Sequence, residues 1–167
     1  LRKFARLLLL PAAALCQTHV AWSRRTDCCN DGPSGGRASM AFAQQSLAGQ
    51  SGGALADVLW MYGGISSAQP LNYSAELWGY TASTGAWEQP NVAGGPPPLV
   101  GSSMCAVGHY LYLYGGANFD SNAHDHLYSF DTARRSWARM ALNAPLPPAR
   151  ANHAMSCAGG RVYLFGG

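Results

Sequence analysis

Three segments of the chain end in the same way: VLWMYGG (58–64), YLYLYGG (110–116) and RVYLFGG (161–167). Their glycine pairs recur 52 and then 51 residues apart. Each segment is an apolar run of strand length that stops at a Gly-Gly pair, where a turn is expected. Repetition at a period of this size is typical of repeat architectures, in which each repeat is one supersecondary unit. The chain is therefore predicted to consist of repeats of about 50 residues.

A second pair of segments repeats between the glycine pairs: ELWGYTASTGAW (76–87) and HLYSFDTARRSW (126–137). The Leu-to-Trp distance is ten residues in both copies, whereas the distance from the glycine pair to the Leu differs. Loops absorb insertions and strands do not. We therefore predict strands in the segments of fixed spacing and a loop after each glycine pair.

Four antiparallel strands per repeat are predicted, and Pro-rich surface connections separate the repeats at 92–101 and 142–151, because proline cannot donate a ladder hydrogen bond. The apolar strands at 110–114 and 161–165 do not alternate with polar residues, which predicts sheets that are covered on both faces. In the complete middle repeat the strands are expected at 76–82, 85–89, 102–107 and 109–114.

The chain resembles the kelch family over residues 52–167. The resemblance rests on the apolar strand that closes on Gly-Gly, the Leu-(Trp/Tyr)-x-(Tyr/Phe) strand, the Trp that follows, and a Pro-x-Arg-x-x-His motif. The motif is carried by Pro148, Arg150 and His153. The middle repeat has Leu99 and Ser102 in place of the Arg and the His, and no clear opening strand is visible for the first repeat in 46–57.

This resemblance implies an all-β fold, an incomplete kelch β-propeller with blades of four antiparallel strands. A closed propeller has four to eight blades, so we expect the chain to be a piece of a longer repeat protein. It also implies that the loops after the glycine pairs and the loops between repeats form one binding face. These loops are 65–75, 117–125, 90–101 and 141–151.

The resemblance favours a scaffold that binds a protein or peptide partner through these loops, with no enzymatic activity and no cofactor. Arg150 is the first candidate for partner binding because its guanidinium suits a carboxylate. An internal strut between blades is the equal alternative for Arg150. Further candidates for partner binding are the loop residues Tyr73, Asn118, Phe119 and Asp120.

A secreted carbohydrate-binding or galactose-oxidase-like propeller is the alternative function. The oxidase would need a Tyr linked to a Cys and a pair of His residues; His109, Cys105 and several Tyr are present, but at no distinguishing spacing. Asn72 begins an Asn-Tyr-Ser sequon and is a predicted N-glycosylation site if the chain is secreted.

Residues 1–23 are predicted to be a signal or targeting segment, because a basic start precedes a short apolar run. A secretory destination is favoured, with organellar and cytoplasmic ones as alternatives, and 24–51 is predicted to be a linker of low order. Six of the 11 Lys and Arg residues lie in the first 40 residues. The remaining chain is nearly neutral, so a nucleic acid partner is not expected, nor is membrane insertion beyond the leader.

Other chemistry-bearing residues favour structural interpretations. His124, Asp125 and His126 lack an identifiable third metal ligand, so no metal site is predicted. A calcium loop beginning at Asp120 is disfavoured because its sixth position is Asp125 and not Gly. Arg134 and Arg135 are expected in a solvated turn, and Cys105 and Cys157 are expected to be small buried apolar residues.

Overall fold

A computed structural model describes residues 37–47, 56–66, 72–92, 94–120, 122–141, 143 and 147–167. These residues form strands and turns, and the all-β prediction is confirmed. The predicted targeting segment 1–23 lies outside the described residues, as does most of the predicted linker. No helix in the described part of the chain has the length and hydrophobicity to cross a bilayer.

Two four-stranded antiparallel sheets form the body of the structure. They are called the first and the second blade below, and the strands of each are given in the order in which they pair. The first-blade strands are β2 (Ala41–Leu47), β3 (Ala56–Tyr62), β6 (Leu77–Thr81) and β7 (Ala86–Glu88). The second-blade strands are β8 (Ser103–Val107), β9 (Tyr110–Tyr114), β10 (Leu127–Asp131) and β11 (Ser136–Arg139).

Two smaller sheets complete the architecture. A third unit is the hairpin of β12 (Ala154–Ala158) and β13 (Arg161–Phe165). A short sheet beside the first blade pairs β1 (Arg37–Ala38), β4 (Ile65–Ser66) and β5 (Asn72–Tyr73). The innermost strands β2, β8 and β12 lie side by side and line a central cavity.

The strands predicted for the middle repeat are all present, but they belong to two sheets. β6 and β7 complete the first blade, whereas β8 and β9 begin the second. The boundary is the Pro-rich link 92–101, whose described residues carry an isolated bridge at Val100 and no strand. The first two glycine-pair strands, β3 and β9, instead pair with the strand that follows them across a loop, as Tyr62 does with Leu77.

The opening strand of the first blade corrects the predicted linker. β2 lies at residues 41–47, inside the segment 24–51 that was expected to have low order, and it pairs along its whole length with β3. Its inward positions Ala41, Ala43 and Gln45 are buried and alternate with exposed residues. The polar side chain of Gln45 conceals this alternation in the sequence.

The hydrophobic core lies between the first and second blades. The Trp60 and Phe130 rings meet edge to face with centroids 6.0 Å apart, and Tyr62 and Trp137 do so at 5.5 Å. Such aromatic pairs add to the stabilisation from burial alone. Gln45 joins the blades at this interface: its amide nitrogen donates to the Gly108 carbonyl at 2.7 Å, and its oxygen accepts from the Trp60 indole at 2.8 Å.

The first glycine pair ends its strand because its backbone has positive φ values and because the next link approaches it closely. Gly63 and Gly64 have φ values of 71° and 90°, which favour glycine. A Cβ on Gly63 would approach the Leu99 carbonyl oxygen to 2.5 Å. That same carbonyl accepts a hydrogen bond from the Gly64 amide at 2.9 Å. The missing side chain therefore lets the next link dock on the strand end.

β13 is less covered than β9 within the described structure. Val162, Tyr163 and Phe165 are exposed, and in the described structure β13 pairs only with β12. β9 differs because it is paired on both edges and its Leu111, Leu113 and Tyr114 are buried. Coverage depends on neighbouring sheets, which the apolar pattern of one strand does not specify.

Candidate partner-binding groove

A tyrosine hydroxyl fixes each described Pro-rich link to the end of a glycine-pair strand, β3 or β9. The Tyr62 hydroxyl donates to the Pro96 carbonyl at 2.7 Å and to the Pro97 carbonyl at 3.0 Å. Tyr114 does the same in the next repeat, donating to the Pro147 carbonyl at 2.6 Å. Burial raises the pKa of both hydroxyls above the usual value. Both hydroxyls therefore keep their protons and donate the hydrogen bonds that hold the links at the strand ends.

The loop after the first glycine pair returns to the same end of the blade through β4 and β5. Ile65 pairs with Tyr73 in this short ladder, and the Ser74 amide donates to the Gly64 carbonyl at 2.9 Å. Asn72 is exposed and Tyr73 is half-buried. The exposure of Asn72 meets the first requirement for a glycan acceptor, and its glycosylation stays a prediction.

The loop after the second glycine pair is shaped by Asn118. Its side-chain oxygen accepts hydrogen bonds from the Asp120 amide at 3.1 Å and the Asn122 amide at 3.2 Å. This Asx-type arrangement fixes the turn at its tip. Phe119 stands at that tip with 71% of its surface exposed, although a large apolar side chain is usually buried.

These loops and the link between blades enclose a groove, referred to below as the rim groove. Its cavity measures about 210 Å³. The Tyr73 and Phe119 rings form one wall, with centroids 4.9 Å apart. Four of the five predicted binding residues thus lie together. The rim groove is lined by Asn72, Tyr73, Pro97, Pro98, Asn118, Phe119 and Asp120.

Comparison with known proteins agrees with this architecture. The model of the KLHDC2/KLHL20/DRC7 Kelch-repeats domain matches residues 43–167. The chain belongs to the kelch-repeat family. The match starts within β2, at the point where the structure places the first kelch blade and earlier than residue 52.

Several curated proteins resemble the chain over part of their length. It is 31% identical over 113 residues to the Rab9 effector protein with kelch motifs of Xenopus laevis, covering 65% of this chain and 30% of that protein. It is 32% identical over 97 residues to host cell factor 1 of Rattus norvegicus, covering 55% and 5%. It is 30% identical over 117 residues to the N-(sulfonatooxy)prop-2-enimidothioate sulfolyase of Thlaspi arvense, covering 68% and 33%.

Arg150 of the third kelch unit lies outside the rim groove. Its guanidinium donates to the Gly166 carbonyl at 2.6 Å and the Pro148 carbonyl at 3.2 Å. Arg37 occupies the same position in the first repeat, where it donates to the carbonyl of Gly63. This correspondence indicates that both arginines brace the glycine pair of their own kelch unit, and partner binding by Arg150 stays a prediction.

Arg37 is a residue that the sequence analysis missed. It pairs with Glu76 and donates to the Ser74 hydroxyl at 2.6 Å, so it holds the loop that carries Tyr73. Burial acts to raise the pKa of Glu76, but hydrogen bonds from Trp78 and Arg37 hold that pKa below its usual value. The detectable signal was its spacing, since Arg37 lies three residues before Met40 as Arg150 lies three before His153.

Cys105 and Cys157 are not separate apolar residues, which corrects the prediction. They form a disulfide between β8 and β12, with Cα atoms 5.6 Å apart. Cys105 is therefore not available for the Tyr–Cys link that a galactose-oxidase-like site requires. The disulfide instead joins the innermost strands of two neighbouring kelch units.

The histidines of the second kelch loop have local partners. Asp125 pairs with the Nδ1 atom of His126 at 2.8 Å, and the His124 and His126 ring centroids are 5.6 Å apart. Burial, followed by the neighbouring His126, lowers the pKa of His124. Within the described ranges, no group of three or more His, Cys, Asp or Glu side chains is arranged to hold a metal ion.

The two adjacent arginines lie in the exposed turn between β10 and β11. Arg134 pairs with Asp131 of its own turn at 2.8 Å. Arg135 reaches Glu88 of the first blade at 3.1 Å. Both side chains are exposed, so these pairs contribute little to stability.

Proposed function

We propose that this kelch chain is a protein-interaction scaffold that binds a protein or peptide partner at the rim groove. The observation that carries the proposal is the convergence of three separate segments on one surface. Their tips present an exposed aromatic residue, prolines and a carboxylate. Exposed aromatic side chains on a rigid support are the residues that most often dominate the energy of a protein interface.

A binding role is preferred over catalysis at this surface. The described lining residues include no Cys, His or Lys, and Asp120 is their one carboxylate. They therefore offer no nucleophile with an adjacent base of the kind that often activates it in covalent catalysis. The relationship to a sulfolyase therefore does not extend to a proposed activity here.

The rigidity of the support favours a preformed interface. Pro97 is fixed by the Tyr62 hydroxyl, Asn118 fixes the turn of Phe119, and Arg37 fixes the loop of Tyr73 through Ser74. A surface that is ordered before binding loses less conformational entropy when the partner docks. We expect these supports to contribute to affinity without contacting the partner.

Removal of both aromatic rings tests the proposal. The Tyr73→Ala/Phe119→Ala variant of the full chain should retain its fold but lose at least about tenfold of its partner affinity, because two interface aromatics are truncated. Partners are identified by quantitative mass spectrometry of proteins that co-purify with the wild-type chain. Their affinities for both forms are then measured with purified components.

Phe42→Ala/Tyr163→Ala is the matched control. These aromatics are 54% and 53% exposed and take no part in the rim groove. The control should retain wild-type affinity. Equal affinity of all three forms for every partner would contradict the proposal.

A further inference from the structure

We infer that the rim groove takes the side chain of an arginine in an extended segment of the partner, an inference that rests on the proposed function. The described lining of the groove is negatively charged, because among those residues Asp120 is the one carboxylate and none is Lys, Arg or His. Among the described residues no cation forms an ion pair with Asp120. The occupant that complements this charge is a cation.

The walls of the groove favour an organic cation over a bare ion. The rings of Tyr73 and Phe119 are tilted by 48° to each other, and both residues line the groove together with Asp120. Aromatic faces attract guanidinium and ammonium groups, and arginine more often occupies such sites than lysine. The exposed Pro97 and Pro98 supply apolar surface for the aliphatic part of a long side chain.

The size of the groove matches a single side chain. Its cavity of about 210 Å³ is smaller than the ~300–1,000 Å³ of pockets that enclose whole small molecules. Arginine is preferred to lysine because a planar guanidinium can stack on a ring and also donate two hydrogen bonds to one carboxylate. The geometry thus assigns Asp120 as the residue that determines specificity and Phe119 as the apolar platform.

Short blocked peptides test this inference without knowledge of the partner. The probe is an acetylated and amidated Gly-Ala-Arg-Ala-Gly peptide, compared with versions that carry Lys, Gln or Glu at the centre. Binding to the isotope-labelled full chain is followed by NMR at the backbone amides of 118–120. The Arg peptide should cause saturable shifts and bind about tenfold more tightly than the Gln peptide, with the Lys peptide between them.

The Asp120→Asn variant should reduce this preference to about threefold, the part that the aromatic rings supply. The substitution leaves the turn intact because Asn118 holds the backbone amide of Asp120 and not its carboxylate. Asp57→Asn is the matched control. Asp57 lies in β3 at the end remote from the glycine pair and accepts a hydrogen bond from Ser46, so this variant should keep the wild-type preference.

Two results would overturn the inference. One is equal binding of the Arg and Gln peptides to the wild-type chain, which would show a groove that accepts peptides without selecting a cation and would leave the proposed function standing. The other is the absence of saturable NMR shifts with the Arg peptide up to about 10 mM, a concentration at which even a peptide with a Kd of about 1 mM would nearly saturate the groove. In that case the proposed function is still tested separately, by the affinity of the Tyr73→Ala/Phe119→Ala variant for the natural partner.

Discussion

His153 is a buried base in an apolar environment between the second blade and the third unit. Its ring packs edge-on against Tyr114 with centroids 5.7 Å apart, and neither ring nitrogen has a hydrogen-bond partner among the described residues. Burial, followed by the nearby charge of Arg150, lowers the pKa of His153. The folded chain therefore holds this ring neutral, because an unpaired charge is costly to bury.

We predict that folding stability falls as the pH drops below about 6.5, the ordinary pKa of histidine. In this window the unfolded chain binds a proton at residue 153 and the folded chain does not, so unfolding becomes more favourable. The His153→Gln variant should show a flatter dependence of urea midpoint on pH between about 5 and 7. The carboxylates Glu76 and Asp131 also have lowered pKa values and titrate below this window.

His124→Gln is the control for this pH dependence, since burial also lowers the pKa of that half-buried ring. It should remove only the contribution of residue 124 and leave that of His153. A His153→Gln variant with the full wild-type pH dependence would show that the ring is not held neutral by the fold.

The recurring structural element is a strand that ends in a tyrosine and docks the next Pro-rich link. Tyr62 and Tyr114 occupy the same position before their glycine pairs, and both hydroxyls donate to carbonyls of a Pro-Pro step. Phe165 occupies that position in the third unit and has no hydroxyl. These hydrogen bonds from tyrosine to the Pro-Pro carbonyls, called the tyrosine latch below, position the links. Through Pro97 the tyrosine latch also positions one side of the rim groove.

We predict that Tyr62→Phe lowers the free energy of unfolding by about 1–2 kcal/mol, because the variant leaves the carbonyl of the buried Pro96 without its donor. Urea unfolding measures this change. Tyr112→Phe removes a hydroxyl from β9 that makes no hydrogen bond in the described structure, so it should change the unfolding free energy by less than about 0.5 kcal/mol. An equal decrease in unfolding free energy in the two variants would show that the tyrosine latch does not stabilise the fold.

The repeating strands could be predicted from sequence because their spacing and apolar runs are local properties. β2 was missed because Gln45 occupies a core position, where its amide is satisfied by Gly108 of the next blade and by Trp60. A polar residue that is satisfied by a distant partner breaks the local pattern without breaking the strand. The assignment of β6 and β7 to the first blade depends on pairing across a loop, which no local pattern specifies.

The candidate site could be predicted only in part. The choice of loops came from the resemblance to kelch proteins, and Tyr73, Asn118, Phe119 and Asp120 do lie together. The contact between the Tyr73 and Phe119 rings depends on two turn conformations, and the role of Arg150 depends on the location of the Gly166 carbonyl. Both are relationships between segments far apart in the chain.

At the scale of the whole molecule, the disulfide joins two neighbouring kelch units through cysteines that lie 52 residues apart in the sequence. Cys157 is displaced by one strand position relative to Cys105, because Met104 and Met155 are the equivalent residues before their glycine pairs. A displacement by one position turns a side chain to the opposite face of a sheet. Neighbouring units present opposite faces to each other, so the two sulfur atoms meet.

We predict that the oxidised chain is more stable than the Cys105→Ser/Cys157→Ser variant by about 4 kcal/mol, the entropy that closing a loop of 52 residues removes from the unfolded chain. Denaturant midpoints are compared with and without reductant. The wild-type chain should lose stability on reduction, whereas the double variant should be insensitive to it. Equal wild-type midpoints in both conditions would show that this cross-link does not stabilise the fold.

The central claim is that partners dock at the rim groove, and position-specific photo-cross-linking tests it most directly. A benzophenone amino acid is placed at Phe119 of the full chain or, as the control, at Thr84, an exposed residue in the turn at the opposite end of the first blade. We predict light-dependent adducts with a protein partner from position 119 and none from position 84. Adducts from position 84 alone, or from both positions equally, would contradict the account.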